Sequence, residues 1–282
     1  MEIPKLINWS ITSQCNLKCE FCFRLHDCEA TFEDKKIIFD KILESGVEQI
    51  TFTGGEPLLE KNIGYFAELC NVHSIKSSIH TNATLSNRFY EVCDLFDRIS
   101  FSLDGDSEEI NENMRGCDSY MKCVLEKIKF LKERNRDFII KTTVTKQNFN
   151  SVLNMTTLIN EIQPTFWTIF EFRPLRNGKQ YIDKYLLSDG FFDTLTAEMK
   201  NKVGKKVKLN IRSNKDSSQH PIFLVSGKGI VYTNDKEQGD FVVGSLMENS
   251  VKEIWQKIIE HNGISERYKT RDLLLYKKLK TI

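Results

Sequence analysis

The chain has almost no excess of charge, no long apolar run and, past its midpoint, no cysteine. Its 40 lysines and arginines meet 39 aspartates and glutamates over 282 residues, a formal net charge of +1. That balance argues against a broad nucleic-acid surface. No apolar stretch approaches the ~18 residues that a membrane-spanning helix needs, so no membrane span is expected. The opening Met1-Glu2-Ile3-Pro4-Lys5 lacks the basic and apolar segments of a secretion signal, and we expect a cytoplasmic location. All eight cysteines lie at or before Cys123. Clustered cysteines without a secretion signal fit metal binding better than a disulfide framework. A hydrophobic content of 40% supports a substantial core, in one α/β barrel domain or two smaller ones. There is no low-complexity segment and no repeat beyond alternating strand and helix patterns.

What is present is the run Cys15-Asn16-Leu17-Lys18-Cys19-Glu20-Phe21-Cys22. Thiolates are the soft ligands of iron–sulfur clusters, and short spacing lets three converge on one centre. Such clusters are normally fixed by four thiolates. A three-cysteine site therefore borrows another ligand or leaves one iron open to a small molecule. Zinc held with His26 or Cys28 is the alternative, but zinc sites of this kind are often built from two paired knuckles, and the chain has one. Cys70, Cys93, Cys117 and Cys123 fall mostly in helical patterns, as small buried hydrophobes do. Cys28 is set apart by its place in the loop beyond the motif.

A second motif, Gly54-Gly55-Glu56-Pro57, follows the strand-like Gln49-Ile50-Thr51-Phe52-Thr53. The glycines allow close approach of a ligand or a positive φ. Glu56 offers an acceptor for an ammonium group, and Pro57 fixes the exit.

The first half alternates strands and helices. Strands are expected at Ile7–Thr12, Gln49–Thr53, Ser77–Thr81, Arg98–Leu103, Phe138–Thr145 and Phe166–Phe172. Helices are expected at Phe32–Ser45, with Thr31 and Asp34 as a capping box, at Tyr120–Glu133 and at Asn148–Ile162. Helix-length connections imply parallel βαβ units. Ligand sites in such sheets lie beyond the carboxyl ends of strands, where both motifs fall. After Pro174 the pattern changes to a helix near Ser188–Lys202, β-like pieces at Val207–Ile211, Gly229–Thr233 and Val242–Leu246, and a helix near Ser250–Glu260. We read 1–176 as the barrel core and 177–282 as a small α+β cap. The basic tail from Arg267 to Lys280 is read as a helix laying its leucines on the barrel.

The two motifs together resemble the radical SAM superfamily. The resemblance implies a partial (β/α)6 barrel, a [4Fe–4S] cluster on Cys15, Cys19 and Cys22, and S-adenosylmethionine on the open iron. Gly54, Gly55, Glu56 and Pro57 then hold the methionine amino end, and Phe21 packs over the cluster or the adenine. Thr81-Asn82 resembles the family's Thr-Asn-Gly, with Ala83 for the glycine. Ser102 resembles the serine that contacts the carboxylate, Arg115 the arginine that pairs with it, and Lys141 adds a further cation. The implied chemistry is reductive cleavage to a 5′-deoxyadenosyl radical that abstracts hydrogen from substrate. An external donor of flavodoxin or ferredoxin type supplies the electron, and the cluster is expected to be oxygen-sensitive.

On the substrate side, Trp167, Glu171 and Arg173 share one face of the sixth strand and Phe166, Phe170 and Phe172 the other. Arg173 and Arg176 are candidate phosphate or carboxylate binders. The Cys22-Phe23 junction, Trp167 and the short architecture are similar to the viperin branch, which dehydrates a nucleoside triphosphate. That branch has Lys-x-Asn-x-Ser before its glycines, where this chain has Gln49, Thr51 and Thr53, and it flanks its tryptophan with cations, where Phe166 and Thr168 stand. A small molecule or nucleoside is the first expectation, with a viperin-like nucleotide, a peptide, or a non-catalytic cluster or zinc protein as alternatives. Only fourteen residues precede Cys15 and the C-terminal part lacks auxiliary-cluster cysteines, which weighs against a peptide.

Overall fold

The computed structural model describes residues 3–25, 29–217, 222–235 and 239–262. Along the chain run β1 (Leu6–Thr12), α1 (Phe32–Glu44), β2 (Gln49–Gly54), α2 (Ile63–Val72), β3 (Lys76–Thr81), α3 (Ser86–Val92) and β4 (Arg98–Ser102). Then come α4 (Glu108–Arg115), α5 (Tyr120–Glu133), β5 (Phe138–Val144), α6 (Phe149–Ile162) and β6 (Phe166–Glu171). The remainder is α7 (Ile182–Tyr185), α8 (Phe191–Lys202), β7 (Lys208–Arg212), α9 (Asn214–Ser217), β8 (Leu224–Val225), β9 (Ile230–Asp235), β10 (Gly239–Ser245) and α10 (Val251–Asn262). Cys28 and the basic tail lie outside the described residues.

The chain packs as two units. One comprises 1–14, 25–78 and 215–282, the other 15–24 and 79–214, so β3 is divided between them. These divisions fall elsewhere than at the expected core–cap boundary after residue 176.

In the first unit the strand order is β10-β9-β8-β1-β2, with β1 parallel to both β2 and β8 and β9 antiparallel to β10. The Thr31–Asp34 capping box is formed at the start of α1. It satisfies helix amides that have no partner of their own. The helix then buries Ile38, Phe39 and Ile42. The β1 indole of Trp9 stacks on Phe39 at 6.0 Å and meets the edge of Phe66 at 5.1 Å. These apolar faces, fully removed from water, are the chief stabiliser of the unit.

In the second unit β4-β5-β6-β7 are parallel neighbours. One face of this sheet carries Ile99, Phe101, Ile140, Val144, Trp167 and Ile169, all inaccessible. Phe101 packs on Phe89 of α3 with ring centroids 5.7 Å apart, which marks it as the helix-covered face.

β7, expected as a piece of the cap, pairs in parallel with β6 from Phe166↔Lys208 to Phe170↔Arg212. It extends the parallel sheet and satisfies the open backbone edge of β6. The later strands likewise continue a sheet, β8 joining β1 directly. Among the described residues no helix is long and apolar enough to cross a membrane.

Candidate active site

The cysteine loop, 15–24, belongs to the second unit. Cys15, Cys19 and Cys22 are half-buried thiols outside any disulfide. Burial pushes the Cys19 thiol up; Arg115 pulls it down, while Cys22, Asp104 and Cys15 add to the rise, so all three thiols share one electrostatic neighbourhood. Among the described residues no three His, Cys, Asp or Glu side chains are arranged around a single-ion site. The Cys15 sulfur has donors: the Leu17 amide lies 3.4 Å from its Sγ and Asn82 Nδ2 lies 3.9 Å from it. N–H groups aimed at cysteine sulfur are among the contacts that tune bound iron–sulfur clusters. Three thiols on one loop, outside any disulfide and with N–H donors at one sulfur, fit a cluster.

Around this loop several expected cofactor contacts have other partners. Phe21 is buried in an apolar cluster with Met114, Phe172 and Tyr185, and the Arg115 guanidinium lies 5.0 Å over its ring. It anchors the loop within this apolar cluster. Arg115 is ion-paired with the buried Asp104. Burial opposes its charge, but Asp104, with Tyr120 and Cys19, raises it well above its ordinary value. With its charge matched inside the fold, Arg115 braces the loop through its carbonyl, which accepts from the Cys19 thiol at 3.7 Å. Asn82 bridges to Asn16 Oδ1 at 3.0 Å and accepts from the Thr84 amide at 3.0 Å. Thr81 Oγ1 accepts from the Ala83 amide at 3.0 Å, holding Ala83 at φ 66°. That left-handed conformation is the one glycine adopts freely.

The glycine turn belongs to the first unit. Gly54 has φ 144°, and a Cβ there would stand 2.2 Å from the Thr12 carbonyl oxygen; at Gly55 it would stand 2.0 Å from that of Gln14. The Gly55 and Glu56 amides donate to those same carbonyls, each at 2.8 Å. The end of β1 thus demands both glycines before any ligand is considered. Glu56 is buried and its carboxylate caps the 3-10 turn Pro57–Leu59, accepting from the Leu58 amide at 3.1 Å. Pro57 starts that turn.

The other face of β4–β7 is partly open and polar. Register aligns Ser102 with Lys141, Thr168 and Asn210, and Thr143 with Phe170 and Arg212. Lys141 Nζ lies 2.9 and 2.5 Å from the two ring nitrogens of His80 on β3. Burial lowers Lys141 to about 7. Burial and the Lys141 charge together hold His80 well below its ordinary value. Neither the Ser102 nor the Thr143 row carries a carboxylate.

Trp167 is on the opposite, helix-covered face: it is fully buried and its indole donates to Thr142 Oγ1 at 2.9 Å. Glu171 accepts from the Asn214 amide at 2.7 Å. Arg173 is half-buried just after β6, and Arg176 donates to the Phe23 carbonyl of the cysteine loop. Trp167, Glu171 and Arg176, expected on the substrate side, thus each have a partner within the fold. Residues that reading the sequence missed are His80, Asn210 and Arg212. The Lys208-Leu209-Asn210-Ile211-Arg212 alternation was visible, but not its pairing with β6.

The Radical SAM superfamily model matches residues 9–159. An AdoMet-dependent heme synthase of Oleidesulfovibrio alaskensis is 25% identical over 199 residues, 68% of this chain and 51% of that protein. The chain thus spans about half the length of the heme synthases it resembles. An S-adenosylmethionine-dependent nucleotide dehydratase of Flammeovirga pacifica is 26% identical over 282 residues, covering 92% of this chain and 94% of that protein. Among solved structures, anSMEcpe with bound AdoMet and a peptide aligns with TM-score 0.68 at 21% identity, covering 96% of this chain and 87% of that one. Streptococcus suis SuiB bound to S-adenosylmethionine gives 0.68 at 16% identity over 90% of this chain and 65% of that one.

Proposed function

This chain belongs to the radical SAM superfamily, enzymes of α/β partial-barrel fold that use a [4Fe–4S] cluster and S-adenosylmethionine, and we propose that it dehydrates a phosphorylated nucleoside. The observation that carries this reading is the open face of β4–β7. Lys141 and Arg212 supply cations there, Thr168 and Asn210 supply hydrogen bonds, and no carboxylate stands in their two rows. Phosphate recognition needs clustered cations. The chain lacks them at the viperin-like positions before Gly54 and around Trp167, but has them one face and one strand away. The near-full-length likeness to a nucleotide dehydratase supports the same reading. A peptide substrate rests on likeness of fold alone.

In this reading Cys15, Cys19 and Cys22 hold the cluster, Gly54, Gly55 and Glu56 receive the methionine amino end, and Ser102 receives its carboxylate. When bound, the two cofactors supply one-electron cleavage that yields methionine and a hydrogen-abstracting radical. An external donor of flavodoxin or ferredoxin type feeds the electron. Lys141, held near neutrality by burial, regains its proton when a phosphate binds beside it, because an opposite charge favours the charged form.

The test supplies the reduced, reconstituted enzyme and S-adenosylmethionine with nucleosides, nucleoside triphosphates or peptides. A triphosphate should accelerate 5′-deoxyadenosine release several-fold and give a product lighter by one water, and the unphosphorylated nucleoside should not. Acceleration by a peptide and by no nucleotide would overturn the proposal.

A further inference from the structure

The segment that follows β6 has a second relation to the cysteine loop, one that the motif itself does not encode. Arg176 donates to the Phe23 carbonyl. Asn177 Nδ2 donates to the Glu20 carbonyl at 2.9 Å. Lys184 Nζ and the Tyr185 hydroxyl both donate to Glu20 Oε2, at 2.6 and 2.8 Å. The Tyr185 ring meets Phe21 at a centroid distance of 5.7 Å. Gly178 sits where a Cβ would press on the Phe172 ring at 3.2 Å and approach the Phe21 carbonyl at 3.6 Å. Four side chains within ten residues therefore hold Glu20, Phe21 and Phe23, interleaved with Cys19 and Cys22.

The segment is itself fixed. The Lys146 amide donates to the Tyr185 carbonyl at 2.9 Å, and Gln147 Nε2 to the Lys184 carbonyl at 3.0 Å. Both anchors come from the connection between β5 and α6. Arg176 adopts φ 50°, a left-handed conformation that disfavours any residue with a side chain. A strained backbone persists where its surroundings over-determine it, and here the side chain's grip on the loop is part of those surroundings.

We propose that residues 176–185 form a latch that sets the positions of Cys19 and Cys22, making Arg176, Asn177 and Tyr185 positioning residues for the cluster. The proposal rests on the cluster reading above. Lys184 contributes least, since its pair with Glu20 is exposed and exposed pairs are weak. The properties of an iron–sulfur cluster depend on hydrogen bonding to its sulfurs and on solvent exposure. A latch that holds the ligand loop therefore controls both how long the cluster is retained and its spectrum.

The experiment compares anaerobically reconstituted wild type with Arg176→Ala, Asn177→Ala, Tyr185→Phe and the in-segment control Lys179→Ala. Iron release to a ferrous chelator, the EPR spectrum of the reduced cluster and the melting temperature of the apo-protein are measured on each. Arg176→Ala should lose iron about tenfold faster, as expected for a lost charge-assisted hydrogen bond, and Asn177→Ala, which loses a neutral one, about threefold to tenfold faster. Their EPR lines should shift, and their faster iron loss should exceed what any small drop in the apo melting temperature accounts for, while the control stays at wild-type values. Arg176→Lys, which keeps a donor, should recover part of the lifetime. Wild-type lifetimes and spectra in all variants, or losses that merely track a lower apo melting temperature, would overturn the latch. If Arg176→Ala does not fold, Arg176→Lys and Tyr185→Phe decide on the same spectra. A wild type that takes up no cluster would remove the family reading and the latch together; a normal wild-type cluster with indifferent variants would remove only the latch.

Discussion

The cysteine loop and the glycine turn are both short motifs at strand ends, yet they are held by opposite means. Side chains far along the chain grip the loop: Asn177 and Tyr185 reach Glu20 across 157 and 165 residues. The turn is tied to the end of β1 through backbone, with the Gly55 and Glu56 amides on the Thr12 and Gln14 carbonyls at 2.8 Å and no room for a Cβ between them. A loop held by side chains can be loosened in steps by remote substitutions. A turn held by backbone either fits or does not.

That contrast can be broken or sharpened by substitution, beginning with the largest effect. Cys19→Ala should abolish the brown chromophore and all 5′-deoxyadenosine formation, seen by absorbance and product analysis; a coloured, active variant would contradict the ligand assignment. Gly55→Ala comes next, because its Cβ would lie 2.0 Å from a backbone oxygen and 2.5 Å from the carbonyl carbon of Gln14. Overpacking of this kind costs about 1–3 kcal/mol, readable in a urea midpoint. It should impair S-adenosylmethionine binding while the iron content stays high. Iron lost in parallel would show that the two motifs do not act separately.

Lys141→Met probes the open face. Lys141 titrates at about 7 in the folded chain against about 10.4 unfolded, so between those values the unfolded state binds more protons. The contribution of this group to stability therefore rises with pH across that window and is flat below it. Denaturation midpoints at pH 6 and pH 9 should show a smaller gain in Lys141→Met than in wild type, and an equal gain would refute the assignment. The smallest effect belongs to Ala83→Gly. Relief of the φ 66° conformation, about 1–2 kcal/mol, is offset by glycine's backbone entropy and the lost buried methyl, about 0.5–1 and 0.8 kcal/mol. The melting temperature should barely move, and a large drop would mean that the methyl packs more tightly than its surroundings suggest.

The repeating strands and helices were legible because their periodicities differ and because caps such as Thr31–Asp34 mark the boundaries. The motifs were legible because ligand chemistry restricts residue type and spacing. What lay beyond the sequence was sidedness and partnership. Alternation sorted Trp167 and Glu171 from Phe166 and Phe170 correctly, but alternation does not say which set faces the helices. The set with Trp167 does, which puts Phe166 and Phe170 on the other face. Arg176 looked like an anion binder since an arginine's partner cannot be read locally, and its partner here is a carbonyl 153 residues away. Lys208–Arg212 looked like part of a cap because the register that joins it to β6 appears only in the fold.

The most direct test of the central claim is anaerobic reconstitution with iron and sulfide, reduction, and addition of S-adenosylmethionine with product analysis. The account predicts a brown protein with the EPR signal of one reduced [4Fe–4S] cluster, a signal altered by S-adenosylmethionine, and release of 5′-deoxyadenosine that a phosphorylated nucleoside accelerates. A colourless protein, or a cluster whose spectrum ignores S-adenosylmethionine and yields no 5′-deoxyadenosine with any substrate tried, would contradict it.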